Sequence, residues 1–150
     1  TMKENDAHLK MQRKATPWYS FADWKMGVAY DLPWQILVSS SFGQLDLDLS
    51  RLIIHDAVIA SGFGDIRLVS PVEAFEPLFI SSTLGNIQIV TPEGYNTRIV
   101  IQGGRMLRVH ADEIRYDAVD KNVYVSHEQA ENMPQVEIRV RGTFGDVYLI

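Results

Sequence analysis

Four short runs of this chain are variations on one pattern: "SSFGQLDLDLS" at 40–50, "SGFGDIRLVSP" at 61–71, "STLGNIQIVTP" at 82–92 and "GTFGDVYLI" at 142–150. Aligned on Gly43, Gly64, Gly85 and Gly145, they stand 21, 21 and 60 residues apart, the last being three intervals of 20. Aliphatic residues recur two positions after the glycine (Leu45, Ile66, Ile87, Val147) and four after it (Leu47, Leu68, Ile89, Leu149). Upstream the alternation continues with Val38, Ile59, Ile80 and Val140, and then with Ile36, Ala57, Leu78 and Ile138. A period of two means strands with one buried face. A repeat of about 20 residues means units that cannot bury that face alone and must stack on one another. Each glycine stands where the chain turns a corner between two strand segments, and only glycine takes positive φ there at little cost.

The expected fold is therefore all-β: a single-domain, β-solenoid-like stack of roughly 20-residue rungs. Strands are expected near 35–39, 45–49, 57–60, 66–69, 77–81, 87–91, 97–102, 106–110, 122–126, 136–141 and 146–149. Between Gly85 and Gly145 the repeat blurs, and Gly103-Gly104 is the expected turn of the rung that follows Gly85. "RYDAVDKN" and "HEQAENMPQ" read as polar loops. The polar alternates form ladders of their own: Gln44, Asp65, Asn86 and Asp146, then Asp46, Arg67, Gln88 and Tyr148. With rungs in register, Asp46 faces Arg67, an exposed pair that contributes about 0–1 kcal/mol.

Residues 1–16 are polar and read as a flexible lead, and residues 17–150 as the domain. Trp18, Tyr19, Phe21, Trp24, Tyr30 and Trp34 crowd the start of that domain, which holds all three tryptophans. An open solenoid end exposes its apolar ladders, so an aromatic N-terminal cap is the expected use of this stretch. An aromatic platform for sugars, or a membrane-interface belt, is the alternative.

The run "SSSFGQLDLDLSRLIIHDAVIASGFGDIRLVSP" resembles the toast-rack domains of bacterial membrane-associated proteins, above all the C-terminal domain of the cell-wall-active antibiotic response family (LiaF-like). The shared features are the glycine–polar–aliphatic–polar–aliphatic turn and strand, then "DLDLS", then "GFGDIRL" one rung later. The resemblance covers roughly 34–150. It implies a stack without enzymatic activity, a protein partner such as a membrane sensor kinase, and a place at the membrane or envelope of a bacterium. In that family spanning helices usually precede the domain. This chain has no apolar run of the roughly 18–20 residues a span needs, so contact with a membrane would come through further segments or a partner. The sequence opens on Thr1 before Met2, as a fragment would, and the chain is expected to be soluble as it stands.

No chemistry is legible. The net charge of −5 argues against a nucleic-acid surface, and the absence of cysteine removes thiolate metal sites. His8, His55, His110 and His127 have no ligand-like spacing, and no nucleophile elbow, Walker loop or dinucleotide fingerprint occurs. Neither a catalytic residue, a metal nor a cofactor is expected. Asp46, Asp48 and Asp65 form one outward acidic cluster, which Arg67 neutralises in part. The expected function is a non-catalytic protein-interaction module with a surface among Trp18, Trp24, Trp34, Asp46, Asp48, Asp65 and Arg67. The alternative is a carbohydrate-binding or carbohydrate-active β-solenoid that uses the acidic face, with calcium among the oxygens. The apolar strand "FGDVYLI" has no gatekeeper after Asp146, so it is expected either to fold back between earlier strands or to meet a second copy, and a homodimer is the favoured expectation.

Overall fold

The structure, a computed structural model, describes residues 25–127 and 130–150. Trp18 and Trp24 lie outside the described residues. Twelve strands follow one another with no α-helix among the described residues. They are β1 (Pro33–Phe42), β2 (Leu45–Asp48), β3 (Ile53–Phe63), β4 (Ile66–Val69), β5 (Glu73–Ala74) and β6 (Leu78–Leu84). Then come β7 (Ile87–Val90), β8 (Asn96–Gly103), β9 (Leu107–Ala111), β10 (Tyr116–Asp120), β11 (Val123–Ser126) and β12 (Gln135–Leu149).

Each glycine corner divides a rung between two sheets. The first sheet runs β1-β3-β6-β12-β8, parallel throughout, and ends in the antiparallel pairs β8-β11 and β11-β10. The second runs β2-β4-β7-β12-β9, all parallel. Register follows the repeat: Ile36 pairs with Ala57, Ala57 with Leu78 and Leu78 with Ile138, while Leu45 pairs with Ile66, Ile66 with Ile87 and Ile87 with Val147. The inward residues of both sheets meet in one apolar core, in which Ile59, Ile66, Leu68, Ile80, Ile87, Ile89, Ile138 and Val147 are fully buried. Each such side chain stabilises the fold by about 1.5–3 kcal/mol. The all-β, parallel, solenoid-like reading thus describes the chain.

The order of the rungs differs from the linear one. Gly85 and Gly145 are 60 residues apart in sequence yet adjacent in space: the Gly85 amide donates to the Phe144 carbonyl at 3.3 Å. β12 lies between β6 and β8 in the first sheet and between β7 and β9 in the second. The Gly103-Gly104 rung therefore follows the C-terminal rung, not the Gly85 rung. Of the two expected ways to cover "FGDVYLI", the structure shows the internal one: β12 is paired on both sides, and the argument for joining a second copy there falls away. β12 is also one continuous strand where two were expected, since it keeps its ladders through the bend at Gly145, φ +131°.

Two more differences have local causes. "RYDAVDKN" contains β10 and the two-residue turn of a hairpin, with Asn122 at φ 60° between Asp120 and Val123. β10 buries only Tyr116 and so lacks the alternation that marks a strand. β5 is two residues long, too short to carry any period. Near the last corner, Gly103 and Gly142 occupy inward positions that are Ser40, Ser61 and Ser82 in other rungs. A Cβ at either glycine would come within 2.4–2.5 Å of the Leu107 side chain, which fills that space.

At the opposite end the core is less covered. Trp34, Ile36, Leu45 and Leu47 of the first rung are only half-buried. Val28 packs against this end, and the Trp34 indole N–H donates to the Ala29 carbonyl at 2.6 Å.

The corner glycines stack on one another. A Cβ at Gly64 would lie 2.1 Å from the Gly43 carbonyl oxygen, one at Gly85 2.2 Å from that of Gly64, and one at Gly145 2.2 Å from that of Gly85. Gly43 has similar positive φ but open space where its Cβ would go. Gly43→Ala is therefore expected to cost about 1–3 kcal/mol, the price of the backbone conformation alone. Gly64→Ala should cost at least about 1 kcal/mol more, because backbone must also move. Urea denaturation of the two variants checks this, and equal midpoints would contradict the stacking argument.

Candidate functional site

Two surfaces stand out against the regular ladder, one on each sheet. The outward face of the first sheet should be polar by alternation, but it carries an apolar column, and a second exposed apolar column stands at the corners. Leu37, Val58 and Phe79 align across β1, β3 and β6 and are 79%, 41% and 45% exposed. Phe42, Phe63, Leu84 and Phe144 align one residue before each glycine, and all are exposed. Phe42 and Phe63 stack at 5.2 Å between ring centroids with planes 9° apart. Along the same outward face the Leu37 column is followed by small residues, Ser39, Ala60 and Ser81, then Ser41, Gly62 and Thr83. The Leu37 column ends at Arg139, whose guanidinium carbon lies 5.6 Å from the Phe79 ring centroid and whose Nε donates to Glu137 at 2.6 Å.

The second sheet presents the polar ladders. Asp46 and Arg67 meet at 3.1 Å across β2 and β4, as the register requires. Asp65 accepts from the Asn86 backbone amide at 2.7 Å, and Asn86 Oδ1 accepts from the Asp146 amide at 3.1 Å. These side chains fasten one corner to the next. Asp48, on the same outward face of β2, accepts from the Ser50 amide at 3.0 Å, and its hydrogen bonds with Ser50 hold its carboxyl below the usual value. Asp46, Asp48 and Asp65 thus do not converge, and no group of three or more His, Asp or Glu side chains is placed to hold a metal among the described residues. Calcium binding at this cluster has no geometric basis.

Further along the same face, Asp146 is clamped from two sides, by His110 Nε2 at 2.8 Å and Arg108 Nη2 at 2.9 Å. These partners, His110 first, hold its carboxyl below the ordinary carboxylate value. The His110 ring stacks on Tyr148, with centroids 5.0 Å apart and planes 15° from parallel. A shallow groove of about 320 Å³ lies beside Tyr148, bounded by Gln44, Asp65, Arg67, Asn86, Gln88 and Ile150.

Of the residues singled out in the sequence, Asp46, Asp48, Asp65 and Arg67 lie on this second face. Trp34 sits at the start of β1, on the half-covered end. The apolar columns were missed as a surface. Their signal was present, because Leu37, Val58 and Phe79 hold positions where the alternation calls for polar residues. No helix of the described residues is long and apolar enough to cross a membrane.

No family model matches the chain, and neither does any curated protein. Among solved structures it is similar to the crystal structure of "a putative cell adhesion protein" from Clostridium sporogenes, with a TM-score of 0.67 and 17% identity. The similarity covers 79% of this chain and 56% of that one. At that identity it establishes a shared parallel β-rich fold.

One ion pair on the edge hairpin gives a direct electrostatic test. His127 Nε2 lies 2.6 Å from Asp117 Oδ1, and Nδ1 lies 2.7 Å from the Ile114 carbonyl oxygen. Both partners are acceptors, so both ring nitrogens must carry protons. The Asp117 hydrogen bond above all, then the Ile114 carbonyl, raises the His127 pKa above 6.5. A raised folded-state value means the contact is complete below pH 6.5 and is lost as pH rises through the folded-state pKa. Proton NMR titration should place His127 above 6.5 in the native chain and nearer to it in Asp117→Asn, and a native value at or below 6.5 would refute the pairing.

Proposed function

We propose that this chain is a non-catalytic interaction module that holds a protein partner against the outward face of the first sheet. The observation that carries this is the pair of apolar columns. Outward apolar side chains are not needed to close the core, and contiguous exposed apolar patches mark interaction sites in soluble proteins. Stacking accounts for Phe42 against Phe63, yet it leaves Leu37 and Leu84 unexplained. The small residues that follow the Leu37 column leave its side chains uncovered, and Arg139 at the end of that column is an anchor of the type that dominates interfaces.

The resemblance of "SSFGQLDLDLS" and "SGFGDIRLVSP" to the LiaF-like toast-rack domains supports a bacterial envelope-stress setting, with a membrane protein such as a sensor kinase as the partner. The description of the structural neighbour as an adhesion protein is compatible with a module that works by contact. On this reading the chain acts at the membrane or cell envelope, and the aromatic stretch from Trp18 to Trp34 closes the half-covered end. Val28 and Trp34 on that end are what support the cap.

The test is photo-crosslinking in the source bacterium, with benzoylphenylalanine at position 63 or 79 and, as a control, at position 108. Adducts with one envelope membrane protein are expected from 63 and 79 and not from 108. In the purified pair, Phe63→Ser with Phe79→Ser should weaken binding at least about tenfold. Because both rings face solvent, each substitution should cost the fold no more than about 1 kcal/mol. Equal adduct yields at all three positions, or no adduct at 63 and 79, would reject the surface.

A further inference from the structure

We infer that the segment held on the first sheet presents a side-chain carboxylate to Arg141. This rests on the reading of that face as a protein-binding surface, and it names the chemistry of what lies there.

The ladder itself supplies the contrast. Five arginines lie in strands: Arg67, Arg98, Arg108, Arg139 and Arg141. Four of them have a carboxylate beside them. Arg67 meets Asp46 at 3.1 Å, and Arg108 meets Asp146 at 2.9 Å. Arg139 meets Glu137 at 2.6 Å, and the register sets the same Glu137 opposite Arg98. Arg141 is the exception. It is exposed, with Ser81 of β6 on one side and Gln102 of β8 on the other. Along its own strand, its neighbours on that face are Arg139 and Thr143. It makes no ion pair among the described residues. Asp56 and Asp117, further along this sheet, are taken up by Gln35 at 2.8 Å and by His127 at 2.6 Å. One carboxylate, Glu137, therefore stands against the guanidinium groups of Arg98, Arg139 and Arg141, in a chain whose net charge is −5. A local excess of the sign opposite to the chain's own is complementary to an acidic partner.

The position of Arg141 constrains the rest of the partner segment. The apolar column of Leu37, Val58 and Phe79 ends at Arg139, and the next row, Ser39, Ala60 and Ser81, ends at Arg141. A side chain laid over Val58 and Phe79 is roughly 8–12 Å from Arg141, or about three residues of extended chain. Serine and alanine beside the guanidinium leave the approach to it open. A guanidinium carries donors in a planar fork and no acceptor, so it selects a carboxylate over an amide or a hydroxyl. The expected segment therefore combines an apolar anchor with Asp or Glu about three positions away.

The probe is a phage-displayed library of random dodecapeptides, selected in parallel on the whole native chain, on Arg141→Glu and on Phe79→Ser. Native selections should yield peptides that pair an apolar residue with Asp or Glu and that fail to bind Phe79→Ser. Arg141→Met should weaken the best of them about tenfold, and Arg141→Glu further. Arg51→Glu, the same charge change in the turn between β2 and β3, should leave their binding unchanged. Selection on Arg141→Glu should replace the acidic position with Lys or Arg. Peptides that need Phe79 but show no acidic preference, or that bind Arg141→Met at native strength, overturn the inference and leave the protein-binding surface standing. Failure to select any peptide that depends on Phe79 rejects both. Binding to phosphatidylglycerol vesicles that Arg141→Glu abolishes, with no acidic peptide selected, gives the face to a membrane and also overturns the inference.

Discussion

The contact on which this molecule depends is backbone against backbone. At each corner the carbonyl oxygen of one glycine lies where the next glycine's Cβ would be, 2.1–2.2 Å away at Gly64, Gly85 and Gly145. No other residue permits that approach with positive φ. Once the corners nest, the strands on either side are brought into register and every side chain is assigned to the core or to solvent. Hydrogen bonds confirm how closely the corners follow one another: Gly43 N to Phe63 O at 3.0 Å, and Gly64 N to Leu84 O at 3.0 Å. Asp65 and Asn86 add side-chain links at the same corners. The buried aliphatic ladders supply most of the stability, and the glycines decide which ladders can form.

β12 gives the stack its closure. A linear solenoid would leave the C-terminal strand as an edge, with unpaired backbone groups beside Val147 and Leu149. Here the strand is paired on both sides in both sheets. The rung that contains Gly85 and the rung that contains Gly104 are neighbours in sequence but are separated in space by one strand width, and only the chain's last fifteen-residue strand fills it. The stack therefore cannot be completed rung by rung from the N-terminus. Its central pairings join residues about 60 apart on one side, such as Val147 with Ile87, and 38 apart on the other, such as Val147 with Val109. Pairings so distant along the chain make folding slow for a protein of this size.

What the sequence disclosed, and what it hid, follows from which forces leave a periodic trace. A strand with one buried face leaves a period of two, so β2, β4 and β7 fall where Leu45, Ile66 and Ile87 begin them. The corner glycines leave a mark because no other residue can replace them. Spatial order leaves none. The copy at Gly145 has the same composition whether its neighbour is Gly85 or a rung in between, and equal spacing by twenties suggested the wrong neighbour. β10 was hidden because an edge strand with one buried residue, Tyr116, has no alternation to read. The acidic residues were legible as a ladder, but their fate depended on backbone amides: Asp65 is taken up by Asn86 N and Asp48 by Ser50 N. A sequence lists carboxylates and does not say which amides they will meet.

The same regularity explains why the outward positions are the informative ones. Inside the stack, each site must be apolar and of a size that packs on its neighbours above and below, so the core residues of any such chain look alike. Outside, the ladder demands only that strands pair, which serine, threonine or lysine would satisfy. Leu37, Val58 and Phe79 are thus choices that the fold did not impose, and so is the Arg108–Asp146–His110–Tyr148 relay that stands one ring upright beside a polar groove. The two choices differ in kind. The first spreads apolar area over three strands; the second fixes one aromatic ring within a ladder of polar side chains. Parallel strands roughly 4.8 Å apart give each surface its spacing, so a single backbone geometry presents two unlike chemistries on its two sheets.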